Sequence, residues 1–252
     1  MAHTYREFVK EQFKLKPPGV KSSQWMKEIG KRWKQRTNKV GGGFIPARDG
    51  IYLLLSDEAY LYPNKRKSVI TASGETFQYD KSLSSLITAV YHSPTRLIIA
   101  YRGTALYPQL GWAQDVAADL RIVEGTFSKS TRAQQALQAA QRAQKKYPQL
   151  IMSCTGHSLG GACAQYVGYH SDFKNSKVVA FNTGSAPKPQ YREYPKCNMN
   201  DNSDYCQKQR NQILYHVPGD VISEGQIDVS TIVSQEPNTN VHSLKNFKIA
   251  ES

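Results

Sequence analysis

The segment Ile-Met-Ser-Cys-Thr-Gly-His-Ser-Leu-Gly-Gly, residues 151–161, is the most informative part of the chain. Its first five residues favour a buried strand, and the small residues after Leu159 favour a helix packed tightly on a sheet. Gly156-x-Ser158-x-Gly160 lies at the junction. A serine nucleophile requires such a turn, because its backbone is strained, its hydroxyl is exposed and neighbouring backbone approaches closely. The segment therefore predicts a nucleophile turn whose helix directs N–H groups at a developing oxyanion.

The segments around this turn alternate between strand-like and helix-like patterns. Residues 84–91 and 97–101, joined by a short turn with a proline, predict an antiparallel pair. Residues 130–147 predict the clearest helix, because they are rich in Ala and Gln and carry lysines in the last turn. The other predicted elements are a helix at 159–169 and strands at 51–55, 59–62, 177–181 and 212–217. This alternation predicts an α/β domain over residues 44–252, with a mostly parallel central sheet flanked by helices.

The composition describes a globular chain with a basic N-terminal module. The chain has 252 residues, of which 39% are hydrophobic. This length is sufficient to bury the core of one α/β domain, with some residues left over. The net charge is +13, and residues 1–40 hold 11 Lys and Arg against three acidic residues. Aromatic and aliphatic residues recur there at helical spacing, which predicts a basic helical extension. Such a module can contact nucleic-acid phosphates or anionic lipid head groups, and a soluble extension without a partner is the alternative.

The sequence also bears on compartment and cofactors. No apolar run approaches the ~20 residues that span a bilayer, and residues 1–7 lack the apolar core of a signal peptide. We therefore expect a cytoplasmic or otherwise non-secreted protein. Cys154 and Cys163 are expected to be small buried hydrophobes. Cys197 and Cys206 lie at the two ends of a polar loop, and their spacing is not that of a zinc site. The sequence is compatible both with two free thiols and with a disulfide across this loop. We expect no metal and no organic cofactor.

A serine nucleophile needs a base, and the base needs an acid that orients it. In an α/β-hydrolase both follow the serine along the chain. Three histidines follow Ser158. His170 lies at the end of the helix after the serine, and His216 lies within a predicted strand. His242 lies in a polar loop that can reach back over the sheet edge, so His242 is the candidate base.

The orienting acid and the oxyanion donors are predicted from the ends of strands. Asp220 comes shortly after the strand at 212–217, and Asp228 is the rival eight residues further on. The oxyanion hole needs a second N–H beside that of Leu159. Thr104 follows a strand and a glycine, so its N–H, together with its hydroxyl, is the candidate second donor.

Residues 45–250 resemble the class 3 lipases, which share an ordered set of motifs found here. These are Arg102-Gly103-Thr104, Trp112-x-x-Asp115, Gly156-His157-Ser158-Leu159-Gly160-Gly161, a loop ending at Pro187, Val217-Pro-Gly-Asp220 and the late His242. The resemblance implies an α/β-hydrolase-type fold and a carboxylic ester hydrolase that acts on lipid or phospholipid esters through an acyl-enzyme. It implies Ser158 as nucleophile, Asp220 as orienting acid and His242 as base. It also implies Thr104 and Leu159 as oxyanion donors, and a lid within residues 105–114.

Two other functions stay open at this point. The basic segment is compatible with a nucleic-acid-binding protein whose hydrolase-like domain is a non-catalytic scaffold. The same triad also serves thioesterases and peptidases, because fold and triad are shared across these reactions. The N-terminal segment is faintly similar to the first two helices of an HMG box, a kind of short module that resembles those in proteins of large DNA viruses.

Overall fold

The computed structural model describes residues 13–14, 16, 19, 45–104, 130–173, 176–183, 211–217, 220, 231–232 and 242–250. The predicted extension at residues 1–40 lies almost entirely outside this set. The predicted lid at 105–114, both loop cysteines and the rival acid Asp228 also lie outside the described residues.

Eight strands of the described residues form one mixed sheet, in which spatial order follows chain order. The first four strands pair antiparallel, and β4 to β8 pair parallel. The strands are β1 Val69–Ile70, β2 Thr76–Tyr79, β3 Thr88–His92, β4 Arg96–Tyr101, β5 Ile151–His157, β6 Lys177–Phe181, β7 Gln212–His216 and β8 Thr231–Ile232.

Within the same residues, three helices cover the two faces of the sheet. They are α1 Ala47–Glu58, α2 Thr131–Lys146 and α3 Leu159–Tyr169. α2 and α3 contribute to one buried apolar cluster, together with one face of β4 and β5. α1 contributes to the other cluster, together with the opposite face and the C-terminal Phe247. A mostly parallel sheet with a layer of helices on each face confirms the predicted α/β-hydrolase-type fold.

The regular elements around the nucleophile turn were predicted correctly. The strand and the helix on either side of Ser158 lie where the sequence predicts them, and β6 has the predicted bounds. β3 and β4 form the predicted antiparallel pair, with Val90 opposite Ile99. α2 begins after Ser130, whose hydroxyl caps the helix by accepting from the N–H of Ala133.

The predicted strand at residues 51–55 is wrong, because these residues lie in α1. Five consecutive apolar residues suit a buried helix as well as a buried strand, so this run alone cannot decide. The deciding feature is tertiary. Helical spacing puts Ile51 and Leu55 on the face that packs on the sheet, while Leu54 lies 41% exposed.

The predicted strand at residues 59–62 is also wrong, and the strand predicted from residue 84 begins only at Thr88. Both departures have one cause. The buried guanidinium of Arg66 donates to five backbone carbonyls from these two segments, which holds them in turns instead of strands. The acceptors are the carbonyl oxygens of Ala59, Leu61, Ser85, Leu86 and Thr88.

Candidate active site

Ser158 occupies a strained turn between β5 and α3. Its φ is 57° and its ψ is −128°, in a region that costs a non-glycine residue about 1–3 kcal/mol. The turn is held by two backbone hydrogen bonds: Ser158 N donates to Phe181 O at 3.1 Å, and Ala162 N donates to Ser158 O at 3.2 Å. The surrounding sheet and helix therefore impose the conformation that a nucleophile turn requires.

The two flanking glycines permit a backbone approach that no side chain would allow. A Cβ on Gly156 would lie 2.4 Å from the carbonyl atoms of Gly160. A Cβ on Gly160 would lie 2.0 Å from the carbonyl oxygen of Tyr101, at the end of β4. The start of α3 is thus in direct backbone contact with the end of β4. The motif spacing follows from these contacts and needs small residues at both positions.

Asp220 and His242 form a buried pair. Nδ1 of His242 lies 3.1 Å and 3.0 Å from the two carboxylate oxygens of Asp220. Asp220 is 1% exposed and His242 is 5% exposed. A carboxylate only accepts, so Nδ1 of His242 carries a proton and donates it, which fixes the tautomer of the ring. Nε2 of the neutral ring is then the atom that can take up a proton.

The loop that carries His242 is held by ordinary packing. The hydroxyl of Ser243 accepts from the N–H of Lys245 and caps a short 3₁₀ helix, Leu244–Asn246. Phe247 follows and packs edge-on against Phe181 of β6. On the other side, Asn182 Oδ1 accepts from the N–H of Val217 at 2.9 Å, which fixes the chain between β7 and Asp220.

His157, the residue before Ser158, connects the nucleophile turn to His242. Its Nε2 lies 2.6 Å from the carbonyl oxygen of His242, and the two rings lie 4.6 Å apart. Its Nδ1 lies 2.8 Å from the hydroxyl of Tyr60. His242 is therefore adjacent to the nucleophile turn, although it is far away in sequence.

The two predicted oxyanion donors lie on the two elements that meet at this turn. Leu159 is the first residue of α3, so its N–H is among the free N-terminal donors of the helix. Thr104 follows β4 by three residues and is partly exposed. The contact between Gly160 and Tyr101 brings the end of β4 against the start of α3. Both donors thus belong to the same small region.

Two other histidines follow Ser158, and two cysteines lie among the described residues. His170 caps the end of α3 and lies 3.5 Å from Asp172. His216 is buried in β7, and burial lowers its pKa to about 4. Cys154 and Cys163 are buried, as predicted, and burial raises their pKa values to about 12 and about 11, so both thiols stay protonated.

Sequence reasoning missed two residues of this region, His157 and Tyr60. His157 was considered only as a variable position of the motif, although a polar side chain directly before a buried serine needs a hydrogen-bond partner. Tyr60 gave no signal, because it lies in a segment predicted to be a strand. Only the turn after α1 brings its hydroxyl to His157.

Two further findings concern metals and membranes. Among the residues that the structure describes, no group of three His, Cys, Asp or Glu side chains is placed to hold a metal ion. In that same part of the chain, no helix has the length and apolar character to cross a membrane.

A mostly parallel sheet, helices on both faces and a serine strained between a strand and a helix define an α/β-hydrolase-type protein. Residues 98–201 match the family model of the class 3 lipases. The match supports that family and, at the family level, an ester-hydrolysing lipase. It contains most of β4, Thr104 and the nucleophile turn, and it ends before Asp220 and His242. A comparison with curated proteins finds no match.

Solved structures that match this chain include fungal lipases. A mutant form of MDLA from Penicillium cyclopium is 14% identical, with a TM-score of 0.41 and coverage of 79% of this chain and 83% of that chain. Lip2 lipase from Yarrowia lipolytica is 16% identical, with a TM-score of 0.41 and coverage of 69% and 72%. The Rhizomucor miehei lipase propeptide complex is 14% identical, with a TM-score of 0.34 and coverage of 66% and 58%.

Proposed function

We propose that the protein is a serine hydrolase that cleaves carboxylic esters of lipid type through an acyl-enzyme. One observation carries the proposal: His242 is bonded both to the buried carboxylate of Asp220 and to the residue that precedes the strained Ser158. A base with a fixed tautomer beside a strained serine is the arrangement from which acyl transfer proceeds.

In the proposed reaction, Nε2 of His242 takes the proton of the Ser158 hydroxyl as the oxygen attacks the ester carbonyl. The imidazolium that forms is stabilised by the carboxylate of Asp220. His242 then gives the proton to the departing alcohol, and an acyl-Ser158 ester remains. Water, deprotonated by the same imidazole, attacks this ester. The acid is released as the imidazolium returns its proton to the Ser158 oxygen.

The N–H groups of Thr104 and Leu159 stabilise the negative charge on the carbonyl oxygen in both steps. Leu159 contributes as a free donor at the positive end of α3. Thr104 contributes from the end of β4, which the contact at Gly160 holds against that helix. One such donor is worth about 10²–10³ in rate, so their placement decides the efficiency of the site.

The lipid character of the substrate is supported by the family match over residues 98–201. Thioesters and peptides remain alternatives, because the same triad attacks each of these carbonyl groups. The other alternative, a non-catalytic scaffold that binds nucleic acid through residues 1–40, requires no strained serine. The strained turn therefore favours the hydrolase.

A fluorophosphonate probe tests the nucleophile. We expect the wild type to be labelled and Ser158→Ala to be unlabelled, because the probe reacts with an activated serine oxygen. Ser153→Ala is the matched control: Ser153 lies in β5, the strand that leads into Ser158, and is similarly buried, but its hydroxyl accepts from Tyr52. Undiminished labelling of Ser158→Ala contradicts the assignment.

A substrate panel tests the class of ester. Esters of increasing acyl-chain length, phospholipids, a thioester and a peptide are compared in the wild type and in Ser158→Ala. We expect hydrolysis of the oxygen esters and lipids, with activity lost in the variant. Hydrolysis of the thioester or the peptide alone would retain the triad but refute the substrate class.

A further inference from the structure

Tyr60 and His157 take no part in the proposed chemistry, yet they connect the proposed base to the rest of the site. The hydroxyl of Tyr60 lies 2.8 Å from Nδ1 of His157, and Nε2 of His157 lies 2.6 Å from the carbonyl oxygen of His242. The rings of His157 and His242 are also in contact, with centroids 4.6 Å apart. We call these two hydrogen bonds the Tyr60–His157–His242 relay.

Only one direction of donation fits these contacts. The carbonyl oxygen of His242 can only accept, so Nε2 of His157 carries the proton. Nδ1 of the neutral ring must then accept, and the Tyr60 hydroxyl donates to it. Burial raises the pKa of Tyr60 above its ordinary value of 10, which keeps its hydroxyl protonated. Burial and the nearby His242 lower the pKa of His157 well below 6.5, which keeps its ring neutral.

The far end of the relay is anchored beside the proposed oxyanion hole. Gly103 lies directly against the Tyr60 hydroxyl, because a Cβ on Gly103 would meet that oxygen at 2.2 Å. The guanidinium of Arg102 lies 6.0 Å from the centroid of the Tyr60 ring. Gly103 directly precedes Thr104, the proposed oxyanion donor. The relay therefore spans from the chain that carries this donor to the backbone of the proposed base.

The relay holds a part of His242 that differs from the part held by Asp220. The carboxylate holds the imidazole only at Nδ1. The backbone of His242 lies in a loop and not in a strand. A hydrogen bond to the carbonyl of the same residue fixes the backbone from which the side chain extends. The hydrogen bond from His157 to the backbone of His242 and the contact of Asp220 with its ring together define where Nε2 of His242 points.

We propose that Tyr60 and His157 are positioning residues, which hold the backbone of His242 so that its imidazole stays aligned with the hydroxyl of Ser158. This inference rests on the proposed function. Both residues act through His242, by way of the hydrogen bond to its carbonyl oxygen. Their effect is on kcat, because alignment of the base matters in the transition state and little in substrate binding.

Three variants test the relay by kcat and KM on a soluble ester and by the rate of fluorophosphonate labelling. Tyr60→Phe removes one neutral hydrogen bond, and we expect kcat to fall about fivefold to tenfold. His157→Leu removes both bonds, and we expect a fall of about 10²-fold, the size of a 1 Å misplacement. His157→Gln keeps an N–H donor toward the carbonyl, and we expect it to recover most of this loss. KM stays near the wild-type value in all three variants.

Tyr52→Phe is the matched control. Its hydroxyl donates to Ser153 at 3.3 Å and, like the Tyr60 pair, joins the α1 region to β5. It lies away from the nucleophile turn, so we expect a loss of thermal stability similar to that of Tyr60→Phe with kcat unchanged. An equal loss of kcat in Tyr52→Phe and Tyr60→Phe would show a general effect on stability and overturn the relay.

A readout independent of catalysis separates this inference from the proposed function. The proton on Nδ1 of His242, bonded to Asp220, is observed by NMR as a downfield resonance. We expect it in the wild type and in His157→Gln, and we expect its loss by solvent exchange in His157→Leu. Wild-type kcat and an unchanged resonance in His157→Leu overturn the relay. A wild type that does not react with the probe overturns the proposed function, whereas loss of the resonance in His157→Leu still supports positioning.

Discussion

Replacing Gly160 with alanine perturbs the contact between the end of β4 and the start of α3. The added Cβ would lie 2.0 Å from the carbonyl oxygen of Tyr101 and 2.9 Å from the carbonyl carbon of Arg102. Cβ atoms essentially never come closer than 3.0 Å, so the two elements must separate by at least 1.0 Å. The obstacle is backbone, which cannot rotate away as a side chain would.

This displacement acts on the two proposed oxyanion donors, because Thr104 follows β4 and Leu159 begins α3. Donors must lie about 2.7–3.1 Å from the developing oxyanion, so a shift of at least 1.0 Å removes one of them. We expect kcat to fall about 10²–10³-fold with a small change in KM. Overpacking also costs about 1–3 kcal/mol of stability, and each kcal/mol lowers Tm by roughly 2–4 °C.

The assay measures kcat on a short soluble ester, at a temperature well below the Tm of each variant. The concentration of folded protein is determined by circular dichroism, and kcat is calculated per mole of folded protein. Gly168→Ala is the control in the same helix: its Cβ would meet a methyl group of Val178 at 2.4 Å, far from the donors. We expect this control to lose stability and to keep kcat within about twofold, since no donor moves. A Gly160→Ala variant with kcat within about threefold of wild type would show that neither oxyanion donor is displaced.

Two more predictions concern the buried ionisable groups. Asp220→Asn removes the carboxylate that fixes the tautomer of His242, and kcat at pH 7 should fall roughly 10⁴-fold with the fold intact by circular dichroism. His216 has its pKa lowered from 6.5 to about 4 by burial, so below pH 6.5 the unfolded chain takes up a proton before the folded one does. The contribution of His216 to the free energy of unfolding is therefore fully present above pH 6.5. It decreases toward pH 4, by up to about 1.4 kcal/mol per pH unit. Denaturant titration of the wild type against His216→Gln measures this slope.

Each of these predictions has a clear contrary outcome. A less than tenfold loss in Asp220→Asn would mean that the buried pair does not orient the base. An identical pH dependence in the wild type and in His216→Gln would mean that this histidine does not resist protonation in the fold. His157, whose pKa is also lowered, contributes the same sign of slope in both proteins and therefore cancels in the comparison.

The sequence is most informative where one local pattern satisfies both propensity and packing. α2 combines high helix propensity with a serine cap and basic residues in its last turn, so its bounds follow from local chemistry. The nucleophile turn is predicted for a similar reason, because the glycines at 156 and 160 meet requirements that are local to one strand and one helix.

The errors fall where distant residues decide the local conformation. Residues 51–55 form a helix because α1 packs on one face of the sheet. A run of five apolar residues is compatible with both a helix and a strand, so it does not predict this packing. The segments at 59–62 and 84–87 are turns because their carbonyl groups bind the buried Arg66. A hydrogen bond from another part of the chain outweighs the β propensity of these residues.

Local sequence patterns are sufficient to predict the class of fold, the position of Ser158 between a strand and a helix, and the candidates for the partners of this serine. Only the tertiary structure brought Asp220 and His242 together and joined Tyr60 and His157 to them. The physical reason is range. Propensity, capping and turn chemistry act within a few residues. A hydrogen bond between His157 and His242 forms only after the whole sheet has assembled and has brought the end of β5 and the loop of His242 together.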